Sequence, residues 1–184
     1  MRPIDSVPEE TTVWVERVHA VVDELLAPVV AAHGARLRCR SGCTSCCADG
    51  LSVFTLEAAV IAKHFPELLA SGLAGAEGAC AFLAEDGSCR IYAHRPYVCR
   101  TQGLPLRWLE HDEAGQPSEI RSICPLNEDG TPPVEELTAQ ACWTLGPFEE
   151  RLRARQAVLD GGMGERVALR GLFDRSRTHL PVVR

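Results

Sequence analysis

Nine consecutive residues constrain the fold of this chain more than any other feature. The stretch CRSGCTSCC, residues 39–47, contains four cysteines: three in the spacing C-x3-C-x2-C and a fourth directly after them. The small residues Gly42, Thr44 and Ser45 allow tight turns and leave backbone amides free to face sulfur. Buried structural cysteines do not cluster in this way. We therefore interpret the stretch as a loop of metal or cluster ligands.

The cysteine count argues against a disulfide scaffold. The chain has nine cysteines, and an odd number cannot all pair internally. Its N-terminus places acids and prolines where a secretory signal needs an apolar core, and no apolar run reaches about 18 residues, the length of a membrane span. We expect a cytoplasmic protein, in which thiols stay reduced, and no association with a membrane.

Charge and length narrow the class of protein further. The net charge of -6 gives no general attraction for a phosphate backbone, so we expect no binding to nucleic acid. A protein partner of unknown identity is left open. With 184 residues, the chain is long enough to bury roughly 70% of its unfolded surface in one compact domain.

We predict a mainly α fold, a small irregular helical domain with a β-hairpin, organised around a cysteine-ligated metal site. Three segments are expected within this one domain: an N-terminal helix (1–37), a cysteine-cluster metal-binding core (38–126) and a C-terminal helical segment (127–184). Apolar residues at helical spacing run from Trp14 to Val29 and predict the first helix, which ends near Gly34.

The segments after the loop have weaker signals. TLEAAVIA predicts a helix starting near Thr55, and Pro66 starts another. The Asp86-Gly87 turn predicts the hairpin, with one cysteine on each arm. Five prolines between residues 102 and 133 indicate an irregular wrap. Two or three short C-terminal helices are predicted over EELTAQACWTL, FEERLRARQAVLD and ERVALRGLFDRS.

Eight cysteines are predicted metal ligands: Cys39, Cys43, Cys46, Cys47, Cys80, Cys89, Cys99 and Cys124. Neighbouring side chains seldom both reach one tetrahedral ion, so Cys46 and Cys47 could serve different sites. Eight thiols suffice for two four-sulfur sites or for one cluster with spare neighbours. Cys142, beside Trp143, is predicted to be a packed thiol.

The roles of other side chains near the cysteines are predicted less specifically. Arg95 and Arg100 flank Cys99, and we predict that they bind the cofactor indirectly by neutralising thiolate charge. An equally good reading pairs these arginines with carboxylates such as those of Glu85 and Asp86. His33 and His94 are also possible ligands, but so many thiols make them unnecessary.

The combined motifs CRSGCTSCC, CAFLAEDGSCRIYAHRPYVCR and ICPL resemble the YkgJ-like cysteine-cluster proteins, a family described as zinc- or iron-chelating. The resemblance covers about Arg38 to Leu126. It implies that the eight cysteines are the characteristic ones of the family, Cys124 less securely than the rest, and that Cys142 lies outside the pattern. A related motif in flagellin lysine methylases implies an iron-sulfur cluster.

Zinc and iron-sulfur sites both accept four thiolates. Structural zinc usually shows two C-x2-C knuckles, whereas three or four sulfurs in one loop favour a cluster, so we expect iron-sulfur, of the 4Fe-4S kind, ahead of zinc. Three functions stay open: a non-catalytic iron-sulfur protein for redox, sensing or accessory roles, a small iron-sulfur enzyme, and a zinc-stabilised interaction module.

Overall fold

The computed structural model describes residues 4–112 and 115–174 of the chain. The α-helices in these ranges are α1 (Glu9–His33), α2 (Thr55–His64), α3 (Pro66–Ala70), α4 (Tyr97–Thr101) and α5 (Pro147–Asp160). The strands are β1 (Ser52–Phe54), β2 (Leu106–His111), β3 (Pro117–Ser122), β4 (Trp143–Thr144) and β5 (Arg166–Ala168). Short 3-10 helices join them, including one at Tyr92–His94.

The prediction of a mainly α fold is wrong, because the five strands form two small sheets among the helices. Strand β1 pairs antiparallel with β5. In the second sheet β2 lies between β3, to which it is antiparallel, and β4, to which it is parallel. The described part of the chain is therefore a small mixed α/β domain.

The long β-hairpin lies where an irregular wrap was predicted. Strands β2 and β3 pair over six residues each, from Leu106 opposite Ser122 to His111 opposite Pro117. Proline removes a donor from a ladder, but Pro117 is the first residue of an edge strand, where that loss is tolerated. The prolines of this segment were taken as a sign of irregular structure, but they are compatible with the two strands of the hairpin.

The hairpin predicted at Asp86-Gly87 is reduced to a tight reversal. The chain does turn there, since the Gly87 amide donates to the Ala84 carbonyl at 3.0 Å, but the arms share only a single antiparallel bridge between Leu83 and Cys89. The consecutive residues Ala81 and Phe82 are both buried in one hydrophobic cluster. In a regular strand these two side chains would point to opposite faces of the sheet. Their burial in the same hydrophobic cluster is therefore incompatible with a longer β-ladder here.

Of the three C-terminal segments predicted to hold two or three helices, only FEERLRARQAVLD forms an α-helix, as α5. The segment EELTAQACWTL contains two 3-10 turns and β4, because the Trp143 amide donates to the Pro105 carbonyl at 2.8 Å and so joins the sheet. In ERVALRGLFDRS, residues 166–168 form β5 beside β1, and residues 175–176 lie outside the described ranges. Tertiary pairing overrides helix propensity at both places.

The first helix is confirmed, as α1, and includes Pro28. Its buried stripe, with Val15, Val22 and Leu26, packs against Leu56 and Val60 of α2 in the first of two main hydrophobic clusters. The second cluster lies on the other side of α2 and holds Cys80 and Cys89 at its edge. None of the described helices combines the length and the apolar character needed to cross a bilayer.

Candidate metal centre

The cysteine loop, residues 39–47, joins α1 to β1 through a series of tight turns. The Cys43 amide donates to the Arg40 carbonyl at 3.0 Å, and the Cys47 amide donates to the Thr44 carbonyl at 2.8 Å. Gly42 lies between these turns with a φ of 83°, a conformation that glycine adopts without strain. All nine cysteines of the chain are free thiols.

Two contacts hold the segment 80–89 against this loop. The Cys80 amide donates to the Cys47 carbonyl at 2.9 Å, next to a β-bridge between Ala48 and Ala79. At the other end of the segment, a Cβ built on Gly87 would lie 3.2 Å from the Cα of Gly42. The reversal at residues 84–88 therefore packs directly on the cysteine loop.

Cys99 belongs to α4, whose position is fixed by a buried carboxylate that sequence reasoning missed. Glu57 of α2 accepts a hydrogen bond from the Tyr97 amide at 2.8 Å, and the same oxygen lies 3.2 Å from His19 Nε2. The Trp143 indole donates to the Tyr97 hydroxyl at 3.0 Å. Glu57 thus satisfies an amide at the first turn of α4 and holds the turn that carries Cys99.

Five thiols from three segments lie close enough to influence one another electrostatically. Burial, followed by the thiols of Cys80, Cys89, Cys46 and Cys47, raises the pKa of Cys99 to about 12. Burial, followed by the thiols of Cys46, Cys80 and Cys89, raises the pKa of Cys47 to about 11. Without a cation to compensate their charge, the thiols of Cys47 and Cys99 keep their protons at neutral pH.

A second group of cysteines is organised by Asn127, which is fully buried. Its side-chain oxygen accepts from the Arg38 amide at 2.7 Å, and its side-chain nitrogen donates to the Gly103 carbonyl at 2.7 Å and to Cys39 Sγ at 3.4 Å. The Asn127 amide donates to the Cys124 carbonyl at 2.7 Å. One asparagine therefore links the segments that carry Cys39 and Cys124.

Gly103 touches the same sulfur. It has a φ of 90°, and a Cβ at this position would overlap Cys39 Sγ. Sequence reasoning missed both Gly103 and Asn127. The only signal was the position of Asn127 three residues after Cys124, and nothing in the sequence relates this asparagine to a loop 88 residues away.

Cys142 is separate from these groups. It is buried in a small cluster with Val134 and Leu137, and burial raises its pKa. The prediction of a packed thiol agrees with this position.

Arg95 and Arg100, the two arginines predicted to neutralise thiolate charge, have different contacts in the structure. The Arg95 guanidinium stacks 4.1 Å from the centre of the Tyr92 ring, and its charge opposes the rise in the pKa of Cys89 that burial causes. Arg100 is buried and pairs with Asp23 of α1 at 2.5 Å. Their indirect role in cofactor binding stays a prediction.

The two histidines considered as extra ligands also differ. The His33 ring donates to the Ala141 carbonyl at 2.7 Å, a contact that ties the end of α1 to the C-terminal segment. His94 stacks on His64 with ring centres 3.6 Å apart.

The cysteine sulfurs lie in the same region but are farther apart than the ligands of a single metal ion. Among residues 4–112 and 115–174, no three cysteine sulfurs all lie within 4.8 Å of one another. Four thiolates at about 2.3 Å from one tetrahedral Zn²⁺ would lie about 3.8 Å apart. The described arrangement is thus wider than a closed zinc site.

Fold and site together define a small mixed α/β protein with a cysteine-rich, metal-binding domain. Residues 38–125, just under half of the chain, match the family model CxxCxxCC, described as "Putative zinc- or iron-chelating domain". This segment is similar to that family, as the resemblance of its cysteine motifs predicted. No curated protein and no solved structure matches the chain.

Proposed function

We propose that the protein holds a 4Fe-4S cluster on its cysteines and serves in electron transfer or sensing. The observation that carries this proposal is the group of five mutually interacting thiols around Cys99, held by three separate segments of chain. Thiolates are the ligands that iron-sulfur clusters take, and partial burial tunes such a cluster. A cluster of this kind supplies one-electron chemistry when bound.

The spacing of the sulfurs supports a cluster over a single zinc ion. The thiolates of a 4Fe-4S cluster bind different irons and stand farther apart than ligands that share one ion. An arrangement in which no three of the described sulfurs lie within 4.8 Å suits the larger group.

We further propose how the eight cysteines divide. Cys47, Cys80, Cys89 and Cys99 influence one another electrostatically and form the first set, which holds the cluster. Cys46 also lies near this set, but the charges of Cys43 and Cys39 act on it as well. It is assigned to the second.

The second set is Cys39, Cys43, Cys46 and Cys124. Its members lie on the two segments that Asn127 joins. This division agrees with the expectation that the adjacent Cys46 and Cys47 serve different sites. Four thiolates in the first set leave no iron of the cluster open to a substrate, which favours electron transfer or sensing over catalysis at iron.

The decisive measurement is the iron, zinc and acid-labile sulfide content of protein purified without oxygen. We expect a brown protein with about four irons and four sulfides bound by the first set. Colourless protein that retains zinc and contains no sulfide would overturn the cluster and support the zinc-stabilised interaction module, which the family description also allows.

Single serine variants test the division of the cysteines. Cys99→Ser should remove the iron and sulfide, whereas Cys43→Ser should leave most of the cluster in place, because it belongs to the second set. Cys142→Ser is the matched control and should keep full metal content, since its thiol packs in a separate cluster. Equal loss of the cluster in Cys99→Ser and Cys43→Ser would contradict the two sets.

A further inference from the structure

Three metal-binding side chains meet in a cleft that contains no cysteine. Glu16 comes from α1, His64 from the last turn of α2, and His94 from the 3-10 helix at Tyr92–His94. One ligand atom from each lies within 4.8 Å of the others. His64 Nε2 is 2.6 Å from Glu16 Oε1.

The two imidazoles are held by aromatic contacts. Their ring centres are 3.6 Å apart and their planes differ by 12°, while Phe65 packs edge-on against His94 at 5.8 Å. Parallel rings aim their lone pairs side by side, so an ion bound to both requires the stack to open. His64 is the more exposed of the two, and a rotation of its ring would open the stack without disturbing the core.

The cleft has a volume of about 260 Å³, and its other polar side chains already have partners. Asp23 pairs with Arg100 at 2.5 Å, and His19 contacts Glu57 at 3.2 Å. Lys63 Nζ lies 3.2 Å from Glu16 Oε1, so an ammonium group currently neutralises this carboxylate. A divalent cation would have to compete with Lys63.

We propose that Glu16, His64 and His94 form a second metal site, which binds one Zn²⁺ through two imidazole nitrogens and one carboxylate oxygen. Imidazole and carboxylate are ligands that zinc accepts, and sets of three such ligands leave a coordination position open. That position would face the cleft, where water or a small ligand has room. The site is chemically distinct from the thiols and stands whether or not these bind an iron-sulfur cluster.

The test uses the full chain with its cysteine-bound metal in place, titrated with Co²⁺ as a coloured substitute for zinc. We expect one additional equivalent to bind with d–d absorption and without new thiolate-to-cobalt charge transfer, and added Zn²⁺ to displace it. His94→Ala and Glu16→Gln should weaken this binding more than about 100-fold, since even the outer partners of metal ligands cost 10–100-fold. The content of the metal held by the cysteines should not change in either variant.

Two further variants separate a metal site from an ordinary ion pair. Lys63→Met removes the competing ammonium group and should tighten cobalt binding, while His111→Ala removes an exposed histidine outside the cleft and should leave it unchanged. The proposal fails if neither the natural chain nor Lys63→Met takes up the extra equivalent of cobalt, or if His94→Ala binds it unchanged. In that case Glu16, His64 and His94 form only a surface ion-pair network.

Discussion

Arg170 binds Asp49 through both carboxylate oxygens, with its Nε 3.1 Å from each of them. The same guanidinium donates to the backbone carbonyls of Gly75, Ala76 and Ala79 at 2.8, 2.8 and 2.7 Å. Asp49 follows the cysteine loop, and Ala79 directly precedes Cys80. A side chain outside the family-matched residues therefore joins two of the segments that carry the predicted ligands.

Replacing Arg170 by glutamine should loosen the metal centre although no ligand is changed. The neutral amide cannot pair with Asp49 and reaches fewer of the carbonyls, so the two segments separate more easily and metal is lost faster. Metal retention after dialysis against a chelator measures this effect. The matched control is Arg153→Gln, at an exposed position of α5. Equal retention in both variants would show that the Arg170 contacts do not support the centre.

Replacing Asn127 by aspartate should weaken metal binding more than it weakens the fold. The carboxylate still accepts from the Arg38 amide but cannot donate to Gly103 or to Cys39 Sγ, and it puts a negative charge beside a thiol. Each buried partner left unsatisfied costs about 1–3 kcal/mol. Metal content and thermal unfolding, compared with Asn127→Ala, measure the two effects. Metal content equal to that of the natural chain would contradict the role of this asparagine.

Replacing Gly103 by alanine should displace Cys39. The new Cβ would overlap Cys39 Sγ, and the positive φ adds about 1–2 kcal/mol of strain. Gly162→Ala is the matched control, because Gly162 has the same φ of 90° and no atom within 4 Å of the new Cβ. We expect comparable backbone strain in both variants but metal loss only in Gly103→Ala, measured by metal analysis of the folded protein. Similar metal content in the two would remove the sulfur contact as a cause.

Asp160 at the end of α5 gives the fold a pH dependence that is independent of the thiols. Burial by itself raises the pKa of Asp160, but hydrogen bonds from the Glu165 amide at 2.7 Å, from Gln156 at 3.0 Å and from the Gly162 amide at 3.1 Å outweigh it and hold the pKa below its usual value. Gln156 in turn accepts from the Leu56 amide in the first turn of α2.

A lowered pKa in the folded state means that Asp160 stabilises the protein above the unfolded pKa of about 3.9, and that this contribution is lost as the pH falls through the lower folded value. Asp160→Asn should therefore reduce the free energy of unfolding by about 1–3 kcal/mol at pH 7. The difference from the natural chain should shrink in acid. Urea unfolding of both chains at neutral and acidic pH measures it, and a difference independent of pH would contradict the assignment.

The length of each element, and the distance in sequence to its partner, explain which secondary-structure predictions were correct. The helices α1, α2 and α5 are each at least ten residues long, so the local sequence patterns that predicted them survive in the fold. The strands β1, β4 and β5 are two or three residues long, and each pairs with a partner far away in sequence. Such short stretches contain no period that a sequence can reveal.

The cysteine motif by itself determined that this protein is a metal-binding one, because so many thiols in one short loop have few other uses. Tertiary structure decided which thiols are neighbours: contacts such as that of Glu57 with the Tyr97 amide place α4 and so Cys99, and Asn127 links the segments that carry Cys39 and Cys124. It also brought Glu16, His64 and His94 together from three elements. Ligand chemistry is a property of residue type and local spacing, whereas proximity between distant segments is set by the packing of the whole chain.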